Sequence, residues 1–122
     1  MVAYAKHRMD IGQGEEIIYV FAPPLESLSD IFAVDVRTYG ELLRTSISEV
    51  LDYECDSAYF SGVSYEFSIY RDTTRIDRIT RDEDAILEID TSRLYRLIGN
   101  YLEDNHRPIE IAEWERDERE DD

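Results

Sequence analysis

Residues 63–70, VSYEFSIY, alternate apolar and polar side chains: Val63, Tyr65, Phe67 and Ile69 against Ser64, Glu66, Ser68 and Tyr70. A period of two sends successive side chains to opposite faces of a strand. The segment is therefore predicted to lie in a sheet with one face on a core and the other in solvent. Farther along, TSRLYRLIGNYLEDN places Leu94, Leu97, Ile98, Tyr101 and Leu102 at i, i+3, i+4, i+7 and i+8, the spacing of one helix face. A chain carrying both periods must build a sheet and helices that cover each other's apolar sides.

The remaining segments fit that frame. VAYAKHRM and EEIIYVF are predicted as two strands joined by a turn at DIGQGE, and APPLESLSDIF as a short helix from Pro24 with Leu25, Leu28 and Phe32 on one side. Thr38 and Glu41 stand in capping-box register, so a helix is predicted to start there and run to about residue 53, with Leu43, Ile47, Val50 and Leu51 inward. Its outer face then carries Glu41, Arg44, Ser48 and Asp52. Ser61-Gly62 is read as a turn between the short run Ala58 to Phe60 and the alternating strand. TTRIDRIT and AILEID are predicted strands around the loop RDEDA, and Asp90, Thr91 or Ser92 caps the second main helix at residues 91–104. Asn105 and Pro108 stop that helix, and IEIAEW is predicted as a last strand. The expected fold is α+β: a mainly antiparallel sheet with two main helices packed on one face. A single compact domain is expected over residues 1–112, with an acidic extension at 113–122.

The size and composition suit one folded domain. A chain of 122 residues with 43% hydrophobic and 11% aromatic residues has enough core-forming material to fold without staples. Cys55 is alone, which excludes an internal disulfide and a cysteine-rich zinc site; it reads as a small buried hydrophobe. The opening MVAYAKHRMDIG has no apolar signal-peptide stretch, and IIYVFAPPL is too short to span a bilayer. A cytoplasmic protein without a membrane partner is expected.

Charge carries most of the functional information. The net charge is −16, distributed as −4 over residues 1–35, −3 over 36–71, −4 over 72–105 and −5 over 106–122. Of the thirteen basic residues only Lys6 is a lysine, so nearly every cation is a guanidinium suited to bidentate pairing with carboxylates. Adaptation to a salty cytoplasm produces a similar composition, but a surface built to meet a basic partner does so equally well.

Most catalytic chemistries lack their residues. Only His7 and His106 are available as imidazole bases, neither within a nucleophile signature, and Lys6 lies far in sequence from the acidic runs. The single GQG at residues 12–14 is followed by Glu15 and Glu16, which would repel a phosphate, so no cofactor is predicted. Asp82, Glu83 and Asp84 are adjacent but lack the ligand ladder and central glycine of a calcium loop. Glu103, Asp104 and His106 sit together at a helix end, where a solvated terminus accounts for them. No metal site and no catalytic residue is predicted. A small enzyme built on an unrecognised carboxylate pair stays open, because such pairs are spaced in three dimensions.

Direct binding to nucleic acid is disfavoured, since phosphate contacts require positive charge. The same electrostatics favour binding to a protein that itself holds nucleic acid. In size and composition the chain resembles the small acidic phage and plasmid inhibitors of restriction and CRISPR enzymes, and also the immunity proteins that neutralise basic toxins. No motif carries the likeness, and it assigns no residue roles. The expected function is that of an acidic inhibitor occupying the basic surface of a nucleic-acid-binding protein; neutralisation of a basic toxin is the alternative. The carboxylates expected to meet the partner are Asp82, Glu83 and Asp84, Glu103 and Asp104, and the terminal set Glu113, Glu115, Asp117, Glu118 and Glu120. If residues 112–120 are helical, Glu113, Asp117 and Glu120 share one side. Trp114 is a candidate anchor, and Tyr70, on the polar face of its strand, is a second aromatic contact.

Overall fold

The computed structural model describes residues 4–10, 15–79 and 87–105. Strands β1 (Tyr4–Asp10) and β2 (Glu15–Phe21) form an antiparallel hairpin, as their sequence predicts. This hairpin is a sheet of its own. The second sheet is four-stranded and antiparallel, in the order β3 (Ser57–Ser61), β4 (Tyr65–Tyr70), β5 (Thr73–Arg78) and β6 (Leu87–Asp90). Each of its strands follows its sequence neighbour, so short connections suffice.

Between the sheets lies one continuous helical run of 25 residues. It comprises α1 (Ser27–Ile31), a π-helical segment (Phe32–Val36) and α2 (Arg37–Leu51). The capping-box reading of Thr38 is corrected here: its hydroxyl donates to the carbonyl of Val34, one turn back, and α2 has no side-chain cap. Leu28, Ile31, Phe32 and Val36 are all buried, and covering them keeps the backbone helical between the two predicted helices. The wide π turn and a non-helical Tyr39 (φ −126°, ψ 19°) adjust the register between the two halves.

Helix α3 (Thr91–Asp104) buries Leu94, Leu97, Ile98, Tyr101 and Leu102, the stripe its spacing predicts. Its first turn is fixed by Thr91, whose hydroxyl reaches the Tyr70 carbonyl and lies 2.9 Å from that of Thr74. Helices α2 and α3 pack on each other and on one face of the four-stranded sheet, over Tyr65, Phe67, Ile69, Ile76 and Ile89. The approach is close at Gly40, where a Cβ would sit 3.1 Å from Leu102 Cδ2. Each buried Leu, Ile or Phe in this layer contributes about 1.5–3 kcal/mol.

The hairpin docks through aromatic rings: Tyr19 stacks on Phe32 at 5.8 Å between centroids and meets Tyr101 edge-on at 5.4 Å. Arg44 differs from its predicted outward position. It is 6% exposed, lies 3.9 Å above the Tyr95 ring and donates from Nε to the Tyr95 carbonyl, because α3 covers that side of α2. Val63 differs as well: β4 begins at Tyr65, and Val63, 51% exposed, belongs to the turn. The fold is thus α+β and mainly antiparallel, with two sheets where one is predicted. The predicted last strand at 109–114, the helix at 112–120 and the boundary at 112 lie outside the described residues.

Candidate functional site

The face of the four-stranded sheet opposite the helices is set by strand register. Side chains directly opposite each other in a ladder share a face, so three rows cross it. One runs Ser61, Glu66, Asp77; the next Tyr59, Ser68, Arg75, Glu88; the third joins Ser57 to Tyr70 and Thr73 to Asp90. Tyr59 and Tyr70 are 61% and 54% exposed. Glu88 and Asp90 are exposed, and Glu66 and Asp77 half-buried. Arg75 pairs with Asp77 at 3.5 Å, which leaves carboxylates in excess. A hydrogen bond to Glu66 holds the Tyr59 hydroxyl protonated above its usual range. The surface therefore offers two phenol rings between carboxylates, a combination suited to guanidinium and ammonium groups through ion pairing and ring stacking.

Other carboxylates serve the interior. Tyr19, Tyr65 and Tyr101 bury their rings and place each hydroxyl on an acid: Tyr19 donates to Asp104 at 2.5 Å, Tyr65 to Asp30 at 2.5 Å and Tyr101 to Glu16 at 2.9 Å. Lys6 and Arg37 neutralise two of these acids, at 3.2 Å from Asp104 and 3.1 Å from Glu16. Burial, reinforced by the hydrogen bond to Asp30, pushes the Tyr65 hydroxyl up to about 12.

Asp35, fully buried in the π segment, accepts the backbone N–H of Ser64 at 3.0 Å and of Tyr65 at 2.9 Å and so holds the β3–β4 turn against the helix. Desolvation raises its pKa above the ordinary carboxylate value, opposed by those amide bonds. Asn105 closes part of the β2 edge: its side-chain amide accepts from Ile17 N at 2.9 Å and donates to Ile17 O at 3.1 Å, as a neighbouring strand would.

These contacts divide the residues expected to meet a partner. Tyr70 stands exposed on the open sheet face. Asp104 is bound to Tyr19 and Lys6, and Glu103 beside it is half-buried at the end of α3. Asp82, Glu83, Asp84, Glu113, Trp114, Glu115, Asp117, Glu118 and Glu120 lie outside the described residues. The neighbours of Tyr70 on the open face, namely Tyr59, Glu66, Asp77, Glu88 and Asp90, are missed by sequence reasoning. Alternation alone places Glu66 with Tyr70, but adding β3, β5 and β6 requires the register. Cys55 is half-buried against the core.

Among the described residues, no three His, Cys, Asp or Glu side chains are grouped to hold a metal ion, and no helix is long and apolar enough to cross a membrane. Set against protein-family models, curated proteins and solved structures, the chain matches none, so the open sheet face stands on its own geometry.

Proposed function

We propose that this chain is an acidic, cytoplasmic protein-binding inhibitor that occupies the basic nucleic-acid-binding surface of a target protein, as small phage proteins do against CRISPR or restriction enzymes. The observation that carries this reading is the open sheet face, on which the exposed rings of Tyr59 and Tyr70 share rows with Glu66, Asp77, Glu88 and Asp90. A sheet spaces same-face residues about 7 Å along a strand and about 4.8 Å between strands, on the scale of the charges along a nucleic-acid backbone. The net charge of −16 adds long-range steering toward a cationic surface.

The two tyrosines also favour a second reading, an immunity protein that neutralises a basic toxin. Binding to a compact site would concentrate its energy in one or two aromatic anchors.

Pull-down from host lysate at low salt, followed by competition with DNA or RNA, tests the proposal. A mimic loses affinity when Glu66, Asp77, Glu88 and Asp90 are neutralised together, or when Glu113, Glu115, Asp117, Glu118 and Glu120 are, and tolerates single changes. An immunity protein loses it sharply with Tyr70→Ala or Tyr59→Ala alone. A captured partner whose nucleic-acid binding is unaffected, or no basic partner at all, rejects the inhibitor reading.

A further inference from the structure

Each sheet edge exposes backbone donors and acceptors, and proteins usually guard them with charge or cover. Strand β1 carries Lys6, His7 and Arg8, β2 is closed at Ile17 by Asn105, and β6 is four residues long with Glu88 and Asp90. Strand β3, Ser-Ala-Tyr-Phe-Ser, is an edge with no charged residue, and among the described residues no strand pairs with its far side.

The direction of its backbone groups follows from the turn. Gly62 N donates to Tyr65 O at 2.9 Å, so Gly62 and Tyr65 form a hydrogen-bonded pair. Such pairs alternate along an antiparallel ladder, which turns the N–H and C=O groups of Ser57, Tyr59 and Ser61 away from β4.

The surroundings of this edge are apolar on one face and acidic on the other. On the helix side, Phe60 meets Tyr39 at 6.1 Å between ring centroids, and Leu42, one turn along α2, is 61% exposed. Ser61 lies opposite Glu66 on the outer face, and Asp52, Glu54 and Asp56 precede the strand in exposed positions.

We propose that the β3 edge receives an extended segment of the partner as a fifth antiparallel strand, and that this segment alternates apolar residues with Lys or Arg. The inference rests on the proposed function and specifies its mode of binding. Apolar side chains of the added strand lie beside Phe60, Tyr39 and Leu42. Basic side chains lie opposite Tyr59 and Ser61, where the small Ser61 lets one reach over to Glu66. Backbone pairing supplies affinity and the alternation supplies specificity. A second copy of the chain is the poorer occupant, because two bodies of charge −16 repel each other.

The test uses the full chain and a blocked Lys-Val-Arg-Val-Lys-Val-Arg peptide, alongside the same peptide N-methylated on the amides that would face β3. Amide exchange followed by NMR should show Ser57, Tyr59 and Ser61 exchanging fast in the free protein and protected with the peptide. N-methylation should weaken binding at least tenfold. Ser57→Pro, tolerated at the first position of an edge strand whose N–H is turned away from β4, should do the same. Equal binding of the N-methylated peptide overturns strand addition and leaves the proposed binding to a basic partner standing. Absence of binding by either basic peptide at low salt removes both. Protection of the three amides in the free protein also overturns the proposal, whether it persists on dilution or disappears with it as self-association does.

Discussion

At the scale of single residues, Tyr65 couples the sheet to the helical run. Its ring is 1% exposed and its hydroxyl donates to Asp30, so ionising it would place a charge in the core beside a carboxylate. Its pKa rises from 10.0 to about 12. The neutral form therefore stabilises the fold fully below pH 10, and that contribution is lost as pH rises through about 12, on the order of 2–3 kcal/mol. Urea midpoints measured between pH 9 and pH 12 should fall for the wild type and fall less for Tyr65→Phe. That variant should start about 1 kcal/mol lower at neutral pH for the lost hydrogen bond. Gly62 has a different constraint, since a Cβ there would collide with the Asp35 carboxylate that holds the turn. Gly62→Ala should cost about 1–3 kcal/mol in chemical denaturation, because Asp35 must either shift or release its amides. A change below about 0.5 kcal/mol would show that the turn relaxes freely.

At the scale of elements, the end of α2 is held from the turn between β4 and β5. Tyr53 follows the helix at φ 65°, the left-handed conformation that glycine more often fills. Arg71 compensates there: its Nε donates to Val50 O and its Nη2 to Cys55 O, each at 3.2 Å, while its guanidinium stacks 4.1 Å from the Tyr53 ring. A cation at a helix C-terminus also meets the favourable end of the dipole. Arg71→Ala should destabilise the protein by about 1–2 kcal/mol and speed amide exchange in residues 50–55. Arg71→Lys should recover only part of this, keeping the charge but not the fork. None of this is visible in the local sequence, where Tyr53 and Arg71 are separated by two strands. The stripe of α3 is visible because five apolar side chains repeat on one face. The start of α2 is misread because a sound local cap at Thr38 yields to burial of Phe32 and Val36.

At the scale of the whole molecule, a net charge of −16 on a small body stores self-repulsion that salt relieves. The thermal midpoint should rise as ionic strength goes from about 10 mM to about 150 mM, where the screening length falls to about 8 Å. A flat or falling midpoint would mean that pairs such as Arg37–Glu16 and Lys6–Asp104 already cancel the repulsion. The sequence by itself determined the α+β class, the opening hairpin, the alternating strand, the face of α3 and the overall acidity, because period and charge are local or additive properties. Only the tertiary structure decided which acids face outward. Glu16, Asp30, Asp35 and Asp104 look like Glu66 or Glu88 in the chain, yet they are bound by tyrosine hydroxyls, basic side chains or backbone amides distant in sequence. It also set the register that gathers Tyr59 and Tyr70 with Glu66, Asp77, Glu88 and Asp90, because a strand's pattern reports which of its faces is polar and leaves its neighbours unspecified.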